Sequence, residues 1–191
     1  MAMSMAMAPL VMPGLAGYLS LAQAGALLRR TKCGALGLDV SWQRIGVALS
    51  RDQVSATPLK TLYRPKKNPL DLSQIVQEIS VMSKAHDVGL LVVGWPIEKN
   101  GLQGKQCASV LEIVQDLRRT GLATPLTFFD ERYTTQMAHD RRGDAVSKRW
   151  MERTEDQLAA MTILETLLGR ALSATAERSP IDRPLSIKDM F

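Results

Sequence analysis

The chain has 191 residues, 46% of them hydrophobic, which is enough for one domain with a sizeable core plus extensions. Its two cysteines, Cys33 and Cys107, exclude a disulfide framework and lack metal-ligand spacing, and two histidines, His86 and His139, do not support a histidine-rich zinc site or a Ser-His-Asp arrangement. The formal charge is +5, of which Arg29, Arg30 and Lys32 supply three in an acid-free start, so the body is mildly basic and any chemistry falls to carboxylates.

In chain order, residues 1–34 read as a leader, rich in Met, Ala, Leu and Gly and free of acid. That composition suits an organellar transit peptide, for chloroplast or mitochondrion, or a disordered start on a cytoplasmic protein. Residues 8–28 are uncharged and reach membrane-spanning length, but Pro9, Pro13, Gly14, Gly17 and Gln23 weaken a helix, so no membrane anchor is expected.

Residues 35–172 carry the domain. Ala35 to Val40 and Arg44 to Ser50 read as neighbouring strands across a short connection, and Thr57 to Tyr63 as a third, with Pro58 suiting an early or edge position. A basic loop from Arg64 to Pro69 precedes Asp71, which can cap a helix with Leu72, Ile75, Val76, Ile79 and Met82 on one face. Val88 to Gly94 is a continuous apolar run, as in a strand covered on both faces, and it stops at Trp95-Pro96.

The loop Lys99 to Gln106 leads into a helix with Cys107, Val110, Leu111, Val114 and Leu117 on one face, stopped by Gly121. Pro125 to Phe129 is a short strand ending in Asp130-Glu131-Arg132. Thr134 or Thr135 caps a short helix to about Arg142, and a last helix runs from near Glu155 to Leu172, with Leu158, Met161, Leu164 or Glu165, and Leu168 sharing a surface. Residues 173–191 form a polar tail. The order strand, strand, strand, helix, strand, helix, strand, helix predicts an α/β fold. An antiparallel three-strand meander joins two parallel strands in one mixed sheet with helices on both faces.

The acids fall in a pattern on this layout. Asp39 interrupts an apolar run with no cap or turn to explain it, and a carboxylate buried alone there costs several kcal/mol. Asp130 and Glu131 close the last strand, and Asp156 is expected in the first turn of the last helix. Ligands gather beyond the carboxyl ends of parallel strands, which makes these positions neighbours. Converging carboxylates repel one another unless cations sit between them. Mg²⁺ or Mn²⁺ takes such oxygens and keeps positions open for substrate phosphate. Two such ions, ~3.5–4 Å apart, activate water and stabilise the leaving oxygen in phosphodiester hydrolysis. Each acid also has an ordinary role open to it: a salt bridge from Asp130 or Glu131 to Arg132, or a helix N-terminal charge for Asp156.

Leu38-Asp39-Val40-Ser41-Trp42-Gln43-Arg44-Ile45-Gly46-Val47-Ala48, Val92-Val93-Gly94-Trp95-Pro96, Asp130-Glu131-Arg132-Tyr133-Thr134-Thr135 and Asp156-Gln157-Leu158-Ala159-Ala160 resemble the successive signatures of one family. It is the YqgF/RuvX family of Holliday-junction-resolvase-like, pre-16S rRNA-processing nucleases, with a ribonuclease H-like fold. The resemblance spans roughly Ala35 to Leu172. It implies that Asp39, Glu131 or its neighbour Asp130, and Asp156 are the catalytic, metal-binding acids of a Mg²⁺ or Mn²⁺ two-ion site. It also implies that Arg132, Lys148 and Arg149 meet nucleic acid. Trp42 and Trp95 are candidates for base stacking or for ordinary packing at the sheet end. Ser41 stands where the family usually has Gly, and Trp95 where it usually has Leu.

The expected partner is structured RNA, an rRNA precursor, with a DNA junction second; monomer and homodimer stay open. A rival reading is a nucleic-acid-binding or ribosome-assembly factor that keeps the fold and does little catalysis. An Asp, a short turn and a second strand also resemble the phosphate loop of actin-like and sugar-kinase enzymes. Those close two such domains on a nucleotide, and this chain supplies one.

Overall fold

A computed structural model describes residues 18–68, 71–97, 106–131 and 148–173, apart from the side chains of 148–154. The expected helix between Thr134 and Arg142, the loop 99–105, the tail 174–191 and the first 17 residues lie outside the described residues.

Period-two alternation builds the sheet and divides its faces. In β1 (Gly34–Val40), Leu36, Leu38 and Val40 point into one core while Ala35, Gly37 and Asp39 take the other side. β1 pairs antiparallel with β2 (Arg44–Ser50), and β2 with β3 (Thr57–Tyr63). On the other side of β1, β4 (Val88–Trp95) and β5 (Leu126–Asp130) add in parallel, giving the order β3-β2-β1-β4-β5. The expected meander plus two parallel strands is therefore present. β3 is an edge strand, as Pro58 required, and the register slips opposite it, between Val47 and Ala48.

One face is covered by α2 (Ser73–Ala85) and α3 (Cys107–Arg119), which bury Ile75, Val76 and Ile79, and Val110, Ile113, Val114 and Leu117, against Leu36, Leu38 and Val93. Asp71 orders the entry to α2 by accepting the Ser73 N–H at 3.1 Å and its hydroxyl at 2.6 Å, one residue earlier than the cap position, Leu72. Cys107 is core, its thiol donating to the Pro96 carbonyl at 3.2 Å.

The other face differs from expectation in two ways. Residues 21–31, inside the stretch read as a leader, form a helix, α1 (Leu21–Thr31). Ser20 and Gln23 make a reciprocal capping box, and Ala24 and Leu28 are buried. The preceding residues are tied down too: the Leu19 N–H donates to the Leu126 carbonyl at 2.8 Å, and Tyr18 stacks on Phe128 with centroids 5.8 Å apart. The folded unit thus starts no later than Tyr18 rather than at residue 35. Composition alone pointed to a leader; the cap and the apolar spacing decide the helix.

The last helix, α4 (Lys148–Ser173), starts seven residues before the expected Glu155. Its buried side is Ala160, Ile163, Leu164, Leu167 and Leu168, while Leu158 is 40% exposed, so the apolar face is rotated from the expected one. The cause is close approach. A Cβ at Gly37 would lie 2.7 Å from the Ala160 carbonyl oxygen, and one at Gly46 1.9 Å from that of Asp156, so only glycines let the helix backbone settle on β1 and β2. Among the described residues no helix is long and apolar enough to cross a membrane.

Candidate metal centre

Three neighbouring strands set the acids in a row. Asp39 is on the α4 face of β1, directly opposite Gly46 of β2, and Asp156 of α4 rests on Gly46. On the other side of β1, the Glu131 carboxylate fills the space that a side chain at Gly94 of β4 would take, since a Cβ there would lie 1.7 Å from Glu131 Oε1. Strands lie ~4.8 Å apart, so Asp156 and Glu131 flank Asp39 and stand roughly 10 Å from each other. Asp39 is the middle carboxylate.

Alternation separates Asp130 from Glu131. Leu126 and Phe128 belong to the core under α2 and α3 and Phe129 to the core under α4, so Asp130, paired with Trp95, falls on the former side and Glu131 on the latter. Of the adjacent acids, Glu131 therefore shares the face of Asp39 and Asp156. Asp156 is the ninth residue of a 26-residue helix, not a first-turn residue, which removes the helix N-terminus as a reason for an acid there.

The row carries excess negative charge in poor solvent. Burial, then the Asp156 carboxylate, pushes Asp39 up from 3.8 to about 7; Arg44 partly offsets this and Glu155 adds to it. Glu131 is raised well above its ordinary value by burial, then by Asp39 and Asp130. Asp156 is raised by burial and by Glu155, against the pull of Arg44.

Arg44 is a residue of this site that the sequence did not single out. Its Nε lies 3.0 Å from Asp156 Oδ2, with the two side chains 39% and 12% exposed. Ser41 fixes the turn that delivers it: the Ser41 hydroxyl donates to the Arg44 carbonyl at 2.9 Å and accepts the Arg44 N–H at 3.1 Å. The unusual serine is thus a hairpin clasp.

Carboxylate oxygens, with one guanidinium against them, suit a hard cation. Among the described residues no three of His, Cys, Asp or Glu close on one point. The row instead offers two adjacent pairs that share Asp39. Mg²⁺ needs only one or two carboxylates when substrate phosphates complete its shell, so the donor set fits a cation held pairwise and not a closed three-acid cage.

The family model for RuvX, described as Holliday junction resolvase, matches residues 34–170. The chain belongs to the RuvX family. Relatives that match the chain carry the name "Putative pre-16S rRNA nuclease". The one from Sulfurihydrogenibium sp. is 31% identical over 137 residues, covering 71% of this chain and 89% of that protein. Those from Roseobacter denitrificans and Paramagnetospirillum magneticum are 34% and 35% identical, covering 75% and 70% of this chain and 86% and 83% of theirs. Among solved structures, Thermus thermophilus RuvC aligns at 12% identity with a TM-score of 0.47, over 74% of this chain and 95% of that one.

The RuvX match begins at Gly34, so α1 lies outside it, while all three acids of the row lie within. Of the remaining site residues, Trp42 sits on the β1–β2 turn and is 51% exposed. Trp95 is 1% exposed and packs edge-on against Phe128 at 5.1 Å, which makes it core and not a stacking surface. Lys148 and Arg149 open α4; their side chains, and all of Arg132, lie outside the described residues.

Proposed function

We propose that this chain is a divalent-metal-dependent nuclease that hydrolyses phosphodiester bonds in structured RNA, with 16S-type rRNA precursors as substrate. The observation that carries the reading is the row Asp156, Asp39, Glu131 on one sheet face, with its raised carboxylates. The name shared by the relatives supports the substrate class.

Asp39 and Glu131 would hold one Mg²⁺ or Mn²⁺, and Asp39 and Asp156 a second. When bound, such ions supply Lewis-acid stabilisation of phosphate oxygens and lower the pKa of attacking water. The chain's own part is positional. Gly46 and Gly94 leave room for Asp156 and Glu131, and Arg44 orients Asp156 and holds it toward its ionised form. With its carboxyl pushed up to about 7, Asp39 is about half protonated near neutrality and would release that proton on holding a cation. Asp130, beside Glu131, adds negative charge to the site. Trp42, Arg132, Lys148 and Arg149 are assigned to nucleic-acid contact. The acid-free start supports an organellar address, readable from a fluorescent fusion of residues 1–34.

Two other readings have a specific observation behind them. The family description favours a DNA junction as substrate. The lack of three acids around one point, among the described residues, favours an assembly factor with little catalysis. One experiment separates all three: cleavage of a pre-16S RNA and of a four-way DNA junction, in Mn²⁺ and in EDTA, by wild type and Asp39→Asn. RNA cleavage that needs Mn²⁺ and is lost in the variant is expected. Cleavage of the junction alone moves the substrate to DNA, and no Mn²⁺-dependent cleavage refutes the nuclease.

A further inference from the structure

We propose that Tyr63 and Trp42 form a seat for an unpaired nucleobase beside the carboxylate row, so that the substrate carries a single-stranded nucleotide flanking the scissile phosphate. This rests on the nuclease reading and narrows its substrate.

The sheet register places the two rings. Asp39, Gly46 and Thr61 form one cross-strand line on the α4 face. One pleat further toward the turn, Arg44 pairs with Tyr63 on the same face. Strand spacing and rise put Tyr63 about 12 Å from Asp39, within reach of nucleotides that flank a phosphate held there. The Arg64 N–H donates to the Gln43 carbonyl at 2.9 Å, which ties the Trp42 turn to the end of β3 beside Tyr63. Gln157 of α4 donates to the Thr61 hydroxyl at 3.1 Å, one pleat from Tyr63, whose side chain stays exposed.

Exposure and charge then decide what fits. Of the six aromatic side chains described, those of Tyr18, Trp95 and Phe128 are in ring contacts, and Phe129 is buried under the Arg170 guanidinium. Trp42 and Tyr63 are 51% and 61% exposed. A single exposed ring is ordinary, but these two sit where the end of β3 is tied to the β1–β2 turn, next to the site. Lys66 and Lys67, both exposed, follow Tyr63, and Arg44 lies between the rings and the acids. Aromatic faces flanked by cations bind single-stranded nucleic acid, because every base offers a stacking face and every phosphate a charge. A paired base is stacked on its own neighbours and offers no free face, which excludes blunt duplex from the seat.

The test uses the full chain in EDTA, where binding is read without cleavage, with two fluorescent RNAs: a hairpin bearing a single-stranded tail and a blunt duplex of the same length. Tyr63→Ala and Trp42→Ala should each weaken tailed-hairpin binding about tenfold, a loss typical of one stacked base, with duplex binding and melting temperature unchanged. The salt dependence should also stay the same, since no charge is removed, and Tyr63→Phe should bind as wild type. Equal losses on both RNAs, no loss on either, or a wild-type preference for blunt duplex would overturn the seat. The nuclease reading is scored separately, by Mn²⁺-dependent cleavage with wild type. A chain that binds the tail through Tyr63 and cuts nothing keeps the seat and loses the nuclease, and one that cuts without regard to Tyr63 does the reverse.

Discussion

Replacing Asp39 by Asn preserves the side chain's shape and removes the middle charge of the row. Moving a carboxyl from 3.8 to about 7, at about 1.4 kcal/mol per pH unit, sets about 4 kcal/mol against folding once the group is ionised in metal-free solution. The native state holds this proton longer than the unfolded chain does. The contribution of Asp39 to stability is therefore greatest below pH ~4, falls as pH rises to ~7 and is level above. Asp39→Asn lacks that slope and also relieves Glu131, whose largest charged neighbour is Asp39. In EDTA the variant should match wild type at pH 4 and exceed it at pH 8 by up to about 4 kcal/mol. At ~2–4 °C per kcal/mol in a chain of this size, that is a midpoint gain of up to about 8–16 °C. Urea unfolding followed by circular dichroism at pH 4, 6 and 8 measures it. Mn²⁺ at pH 8 should stabilise wild type and leave the variant unmoved. A variant less stable than wild type by the same amount at every pH would refute the reasoning, because Asp39 would then be a satisfied structural acid.

Gly46→Ala should destabilise by about 3 kcal/mol or more and abolish cleavage, since its Cβ would meet the backbone of α4; Gly169→Ala, in α4 itself, where an added Cβ would meet nothing within 4 Å, should instead stabilise by ~0.5–1 kcal/mol, and thermal melts read both. Arg44→Gln removes the cation that holds Asp156 and Asp39 down, so the pH midpoint of Mn²⁺-dependent cleavage should move upward; an unchanged pH profile contradicts that role. Deleting residues 1–33 uncovers the sites of Ala24 and Leu28 and should cost several kcal/mol, of the order of one or two buried large side chains, read as a fall in melting temperature.

The strands, α2 and α3 were legible because alternation and helical spacing were clean there, and Asp39 stood out because it broke an apolar run without a turn to explain it. Asp156 was recognised but placed on the wrong turn. Residues 148–154 are mostly charged, and Trp150 and Met151, side by side, make no helical stripe of their own, so the start of α4 was not marked. The choice of Glu131 over Asp130 needed the pairing of Trp95 with Asp130, a matter of register that one sequence does not state. Arg44 was invisible for a similar reason: its partner arrives from a helix more than a hundred residues away, seated by glycines whose purpose appears only when the layers meet. The Ser20-x-x-Gln23 signature of α1 was present in the sequence but masked by composition.

The central claim is that Asp39 is shared between two cation positions. Mn²⁺ titration followed by electron paramagnetic resonance at pH 8 tests it most directly, with wild type, Glu131→Gln, Asp156→Asn and Asp39→Asn. Wild type should bind two ions, each flanking variant one, and Asp39→Asn none. Two ions retained by Asp39→Asn, or both lost in Glu131→Gln alone, would contradict the account.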